Sequence, residues 1–265
     1  MGSDYRAAGQ STLTAMTTQR FHTLDALRGL AMVWMTLFHF VFDLNHFRLV
    51  TQDFYRDPFW TWQRTLIVSL FLLCAGMGQA IATAQGQSWP RFWRRWAQVA
   101  GAALLVSVAS WLVFPDSYIY FGVLHGLALM LIVVRLSAHW GRWLWLLGAL
   151  AIASKFIFEG LLQTGPLAPW ADAMNSMRWN WLGWISQKPV TEDYVPLFPW
   201  LGVMWWGAAA GAWLWQHQPA WLARPLPLPM QFLAGLGRWS LSYYLLHQPV
   251  LIALVMGLGA AFRLG

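Results

Sequence analysis

The stretch from Leu24 to Leu44 is long and apolar enough to cross a bilayer, yet it carries four ionisable residues, Asp25, Arg28, His39 and Asp43. On an α-helix Arg28 and His39, eleven positions apart, are almost eclipsed and about 16 Å apart along the axis. Asp25 and Asp43 fall near the same line. Ionisable groups inside a membrane face the bundle interior or a watery cavity, where they serve transport or chemistry. The spacing therefore predicts a polar track along one face of a membrane helix.

His39 and Asp43 stand four positions apart, which places a carboxylate within reach of one imidazole nitrogen. That arrangement fixes the tautomer and leaves the other nitrogen basic, as a general base or nucleophile requires. We predict that His39 and Asp43 are catalytic. Asp25 and Arg28, three positions apart, are predicted to pair at the inner edge.

Further polar residues lie within or beside other apolar segments. His125, predicted to share a helix face with Tyr118, and His247, near the proline at 249, are additional catalytic candidates. Lys155 and Glu159, at i and i+4, are predicted to form a structural ion pair. Acceptor binding is assigned to a mainly polar and aromatic set, with Asp193 open to an alternative role as a helix cap: Asp193, Tyr194, Trp200, Tyr243 and Gln248.

The composition is that of an integral membrane protein. The 265 residues are 58% hydrophobic and only 10% charged, with a mean hydropathy of +0.45, whereas soluble domains carry roughly 25% charged residues. We predict an all-α, polytopic bundle of about seven transmembrane helices, because seven windows have the length and apolarity of a span. These windows are residues 26–45, 62–84, 96–115, 118–137, 142–162, 195–215 and 239–261.

The positive charges predict the orientation of this bundle. Arginines are concentrated on one side, most densely in residues 89–95, so the positive-inside rule places the N-terminus in the cytoplasm. A net charge of +7 could indicate nucleic-acid binding. The basic residues are nevertheless dispersed along membrane edges, so no nucleic-acid partner is predicted.

Residues 1–18 are predicted to form a flexible tail, and residues 19–265 a single transmembrane domain. The long segment 163–194 is predicted to lie on the outer surface as a lid, and residues 219–229, with four prolines, to be a non-helical linker. Glycines four positions apart, at 122 and 126 and at 207 and 211, permit close helix packing, within the bundle or in a homodimer.

Several motifs, in order, resemble one family: the catalytic domain family of heparan-alpha-glucosaminide N-acetyltransferase, in its short bacterial form. They are Leu24-Asp-Ala-Leu-Arg-Gly-Leu30, Phe38-His-Phe-Val-Phe-Asp43, Phe121-Gly-Val-Leu-His125, Asp193-Tyr-Val-Pro-Leu-Phe-Pro-Trp-Leu-Gly202 and Tyr244-Leu-Leu-His-Gln-Pro249. The spacing of Arg28 and His39 is also similar to that of the broader transmembrane acyltransferase superfamily.

This resemblance implies transfer of an acetyl or other acyl group from cytoplasmic acyl-CoA to a sugar or amino sugar across a bacterial inner membrane. Acetyl-CoA would be the donor substrate, and no metal is expected. Because guanidinium groups suit phosphate, arginines are assigned to the CoA phosphates: Arg28, Arg94, Arg95, Arg142 and Arg238. The identity of the acceptor is not implied.

Two other functions are also compatible with these residues. A transporter or permease could use the polar track without chemistry. A b-type haem protein could use His39, His125 and His247 as axial ligands.

Overall fold

The computed structural model describes residues 21–263, with side chains as far as residue 258. The predicted tail, residues 1–18, lies outside the described residues. The described part is all-helical and contains no strand, which confirms the predicted fold class. Its α-helices are α1 His22–His46, α2 Pro58–Ala84, α3 Trp89–Val113, α4 Val123–Ser137, α5 Trp143–Gln163, α6 Ala171–Asn175, α7 Leu197–His217, α8 Pro219–Ala223, α9 Leu228–Arg238 and α10 Ser240–Arg263.

Six segments of the described chain are long and apolar enough to cross a membrane: those of α1, α2, α3, α4, α5 and α10. The seventh predicted window also forms a helix, α7, but it is not among the six. Its five tryptophans lower its mean hydropathy. Since α7 packs along α2 and α5 and also contacts α4, it is a central helix of the bundle.

The core lies where α2, α4 and α7 meet, around the fully buried Leu72, Met130 and Met204. Gly207 and Gly211 let the backbone of α7 approach that of α2, at Leu73 and Met77. This glycine spacing therefore serves packing inside one chain, and the homodimer stays a prediction.

The proline-rich segment is not the non-helical linker predicted from its sequence. Pro219 begins α8, a position where the missing N–H group is not needed. Helix α9 follows and packs along the first half of α1. The approach is close because Gly29 of α1 lies against the backbone of Leu233, and Gly237 of α9 lies against the backbone of Asp25.

The fourth span also starts later than predicted, at Val123 rather than residue 118. Residues 118–122 are not helical, and Ser117 and Phe121 pair with the segment 191–195 instead. The Glu192 N–H donates to the carbonyl of Ser117 (2.9 Å), and the Val195 N–H donates to the carbonyl of Phe121 (3.2 Å). Tyr118 and His125 therefore do not share a helix face.

Candidate active site

Helix α10 places a second row of polar residues against the polar track of α1. The hydroxyls of Thr36 and Tyr243 lie 2.6 Å apart. The ring centroids of His39 and His247 are 5.2 Å apart. The two helices thus bring together residues that are some 200 positions apart in the sequence.

His247 is held in one tautomer. Its Nδ1 lies 2.6 Å from the backbone carbonyl oxygen of Tyr244. A carbonyl only accepts hydrogen bonds, so Nδ1 carries the proton and Nε2 keeps a lone pair. Nε2 is buried and has no hydrogen-bond partner among the described residues. This nitrogen has the state that a general base or nucleophile needs.

His39 differs from its predicted arrangement, in which Asp43 orients the ring. The Asp43 Oδ1 atom accepts a hydrogen bond from Nε2 of Gln248 at 2.8 Å instead. The packing of α10 against α1 explains the difference. The side-chain amide of Gln248 reaches the Asp43 carboxylate, while the His39 ring packs edge-on against His247. The predicted internal pair of α1 is therefore replaced by contacts between α1 and α10.

Four buried polar atoms of this cluster have no hydrogen-bond partner within the described chain. Buried polar atoms are nearly always hydrogen-bonded, so their concentration at one place indicates a site for a polar ligand. The four atoms are His39 Nδ1, Asp43 Oδ2, His247 Nε2 and Gln248 Oε1.

His125 has no such free nitrogen. Its Nδ1 accepts the backbone N–H of Gly122 at 3.3 Å. Its Nε2 lies 3.0 Å from the Ser107 hydroxyl, which itself donates to the carbonyl of Ile119 at 2.6 Å. His125 therefore ties the start of α4 to α3, an arrangement that favours a positioning role over the predicted catalytic one.

Asp193 links the start of α4 to Tyr244, the residue whose carbonyl binds His247. Its Oδ2 accepts the Val123 N–H at 2.7 Å, so it caps α4 rather than the helix that follows it in the sequence. Burial raises the pKa of Asp193, while hydrogen bonds, including that from Tyr244, act in the opposite direction. Because Tyr244 also supplies the carbonyl that binds His247, the carboxylate of Asp193 fixes the residue that sets the tautomer.

Sequence reasoning selected Tyr243 and missed Tyr244. The available signal was its position three residues before His247, from which a helical carbonyl can reach Nδ1.

Replacement of Tyr244 by Phe should leave the Asp193 carboxylate short of one hydrogen bond. We expect Tyr244→Phe to reduce the free energy of unfolding by about 1–3 kcal/mol, measured by thermal unfolding in detergent. Tyr118, whose hydroxyl has no hydrogen-bond partner among the described residues, provides the matched control. An equal loss of stability in Tyr118→Phe would contradict the importance of this bond.

A cavity of about 310 Å³ lies on the side of the bundle where α2 and α7 begin. Among its lining residues are Asp193, Tyr194 and Trp200, three of the five predicted acceptor-binding residues. The other two, Tyr243 and Gln248, belong to the contact between α1 and α10. We call this space the outer cavity.

The Lys155–Glu159 pair also lines the outer cavity. Its Nζ and Oε2 atoms are 3.0 Å apart, which confirms the predicted ion pair.

A second cavity, of about 460 Å³, lies at the opposite end, beside the start of α1. We call it the inner cavity. Its charged lining consists of Arg224 and Arg238 together with His22, and no acidic residue between positions 21 and 258 lines it. Arg224 was missed because it stands alone among prolines in the sequence.

The other four arginines assigned to CoA do not line the inner cavity. Arg28 pairs with Asp25 at 2.9 Å, which confirms the i, i+3 ion pair. Arg94, Arg95 and Arg142 are exposed at the starts of α3 and α5. The structure therefore concentrates two arginines in one cavity and does not gather the predicted five.

One family model matches the chain, over residues 20–249, and its description is heparan-alpha-glucosaminide N-acetyltransferase, catalytic. The match includes α1, the inner and outer cavities, and α10 as far as Pro249. No curated protein and no solved structure shows a significant match to the chain.

Proposed function

Because the chain belongs to the heparan-alpha-glucosaminide N-acetyltransferase catalytic family, whose members are membrane acyltransferases, we propose that it transfers an acetyl group from cytoplasmic acetyl-CoA to a sugar on the far side of a bacterial inner membrane. One observation carries the proposal. The buried Nε2 of His247 has its lone pair free, and the His247 ring packs against a second imidazole, that of His39.

A buried pair of imidazoles can catalyse acyl transfer in two ways. His247 Nε2 removes the proton from the acceptor amine or hydroxyl as that group attacks the thioester carbonyl. The tetrahedral intermediate then expels the CoA thiolate, which takes the proton from the imidazolium. The alternative is attack by an imidazole nitrogen itself, which breaks the thioester C–S bond, releases CoA and gives an acyl-histidine; the acceptor then takes the acyl group, loses its proton and restores the imidazole. His39 and the hydroxyl of Tyr243 are the groups nearest His247 that can stabilise the oxyanion.

The donor enters at the inner cavity in this proposal. Two arginines, with no acidic neighbour among the described lining residues, suit the phosphates of CoA. Gly237, next to Arg238, lies against Asp25 and Gly29 of α1, and Gly29 is ten residues before His39, about 15 Å along the axis. An extended pantetheine arm lying along α1 carries the thioester from the phosphates toward the histidine pair.

Arg238→Gln should weaken donor binding without changing the chemical step. We expect the KM for acetyl-CoA to rise about tenfold, the cost of losing one charge-assisted contact, with kcat unchanged. Steady-state kinetics in detergent measures both values. Arg91→Gln, at an exposed arginine of the same end of the bundle, is the control and should leave KM unchanged. A fall in kcat with an unchanged KM for acetyl-CoA would contradict the assignment of Arg238 to donor binding.

The acceptor approaches from the outer cavity, where Asp193 joins the cavity wall to Tyr244 and His247. This arrangement gives donor and acceptor separate entrances at opposite ends of the bundle, as transfer across a membrane requires.

A haem protein is the weaker alternative. The rings of His39 and His247 are in contact and leave no room for a macrocycle between them, and both nitrogens of His125 are engaged. The transporter alternative differs from acyl transfer in its chemistry, so an assay for a covalent product separates the two.

That assay uses purified protein, radiolabelled acetyl-CoA, and a panel of neutral sugars and amino sugars. We expect label to appear in at least one sugar. Failure of the protein to bind CoA would overturn the proposal.

A further inference from the structure

Six charged side chains line the outer cavity, and four of them already have partners. They are Arg64, Lys155, Glu159, Lys188, Glu192 and Asp193. The Lys155 and Glu159 side chains neutralise each other. Glu192 accepts a hydrogen bond from the Ser117 hydroxyl at 2.6 Å, and Asp193 accepts from Val123 and Tyr244.

Arg64 and Lys188 are different, because neither forms an ion pair within the described part of the chain. Arg64 lies in the second turn of α2 and is half-buried. The ammonium group of Lys188 lies over the ring of Tyr55, 5.5 Å from its centroid.

The two cations line the same cavity, where their like charges repel each other. Partial desolvation of its ammonium group and the charge of Arg64 lower the pKa of Lys188, while the carboxylates of Asp193 and Glu192 oppose that change. Two unpaired cations that repel each other beside a cavity are stabilised by an anion bound between them.

We infer that Arg64 and Lys188 bind an acidic group on the acceptor, and that the acceptor is a phosphorylated sugar. This inference rests on the proposed function, since it treats the outer cavity as the acceptor site. A phosphate monoester carries close to two negative charges at neutral pH, which match the two cations, and its oxygens suit a guanidinium group. The anion would hold one end of the sugar at Arg64 and Lys188 and leave the other end free to reach the Asp193 side of the cavity.

Equilibrium binding of glucosamine 6-phosphate and of glucosamine to the purified full-length chain tests this inference without requiring catalysis. We expect the phosphate ester to bind at least about tenfold more tightly, the effect of one charge-assisted contact or more. The difference should shrink in Arg64→Gln and in Lys188→Gln, and it should disappear in the double variant. Arg56→Gln replaces an exposed arginine of the same side that does not line the cavity, and it should retain the difference.

The two proposals fail in distinguishable ways. Equal binding of the two sugars, binding of neither, or a difference that survives in the double variant overturns the anion site. Transfer to glucosamine 6-phosphate with a KM that Arg64→Gln and Lys188→Gln leave unchanged also overturns it while supporting the acyltransferase. Tight binding of the phosphate ester without transfer from acetyl-CoA supports the anion site and contradicts the proposed function. Because Lys188 is exposed, its variant should fold even if Arg64→Gln does not.

Discussion

His247→Ala should abolish most of the acyl transfer. We expect kcat to fall about 10²–10⁴-fold, the usual contribution of a general base. The physical reason is that Nε2 of His247 is unprotonated and free, with its tautomer set by the Tyr244 carbonyl. Binding of acetyl-CoA should be retained, since the inner cavity lies at the far end of α1. Initial rates at saturating donor and acceptor, together with donor binding, provide the measurement.

A matched histidine makes this experiment specific. His217 is exposed at the end of α7, stacked on Trp213, and lines neither cavity. His217→Ala should have wild-type kcat. If His247→Ala retained more than about a tenth of the activity, His247 would not be the base. His39→Ala would then identify which imidazole acts, because the two rings are in direct contact.

Gly237→Leu should prevent α9 from packing on α1. A Cβ atom at Gly237 would overlap the backbone carbonyl of Asp25, and backbone cannot move aside as a side chain can. We expect a loss of more than about 4 kcal/mol in the free energy of unfolding, in the range reached by severe overpacking. The protein should fail to give a monodisperse peak in detergent, or should unfold at a much lower temperature.

Gly235 provides the control on the same helix. No atom lies within 4 Å of the position a Cβ would occupy there. Gly235→Ala should therefore leave stability unchanged or increase it by up to about 1 kcal/mol, because alanine favours helix more than glycine does. Equal stability of the Gly237→Leu and Gly235→Ala proteins would contradict the observed packing of α9.

The parts of this protein that depend on local spacing could be predicted from the sequence. The apolar windows gave the membrane helices, and the i, i+3 and i, i+4 spacings gave the ion pairs Asp25–Arg28 and Lys155–Glu159. The polar track of α1 could be predicted in the same way, because helical geometry alone aligns its residues.

The parts that depend on which helices are neighbours could not be predicted. Asp43 was assigned to His39, four residues away, but Gln248 of α10 binds it. Asp193 was assigned to acceptor binding, with a cap on the helix that follows it as the alternative, but the helix it caps is α4, seventy residues earlier. In both cases a polar group had a local partner within reach, and a group on a distant segment gave the bond instead. The periodicity of a sequence does not reveal which distant segment will supply a hydrogen-bond partner in place of the local one.

The proline-rich segment illustrates a second limit. Four prolines in residues 219–229 indicated a linker, yet α8 and α9 both begin with a proline in the first turn. A proline excludes a helix interior but favours a helix start, and composition alone does not distinguish the two.

Transfer across a sealed bilayer tests the central claim most directly. Proteoliposomes would hold the protein with its inner cavity facing the outside medium. The acceptor sugar is enclosed in the lumen, and radiolabelled acetyl-CoA is added outside. One preparation contains the wild-type protein and the other contains His247→Ala. We predict that acetylated sugar accumulates inside the wild-type vesicles and that the variant forms almost none. Label that enters the lumen without becoming attached to sugar, or equal product from both proteins, would contradict the account.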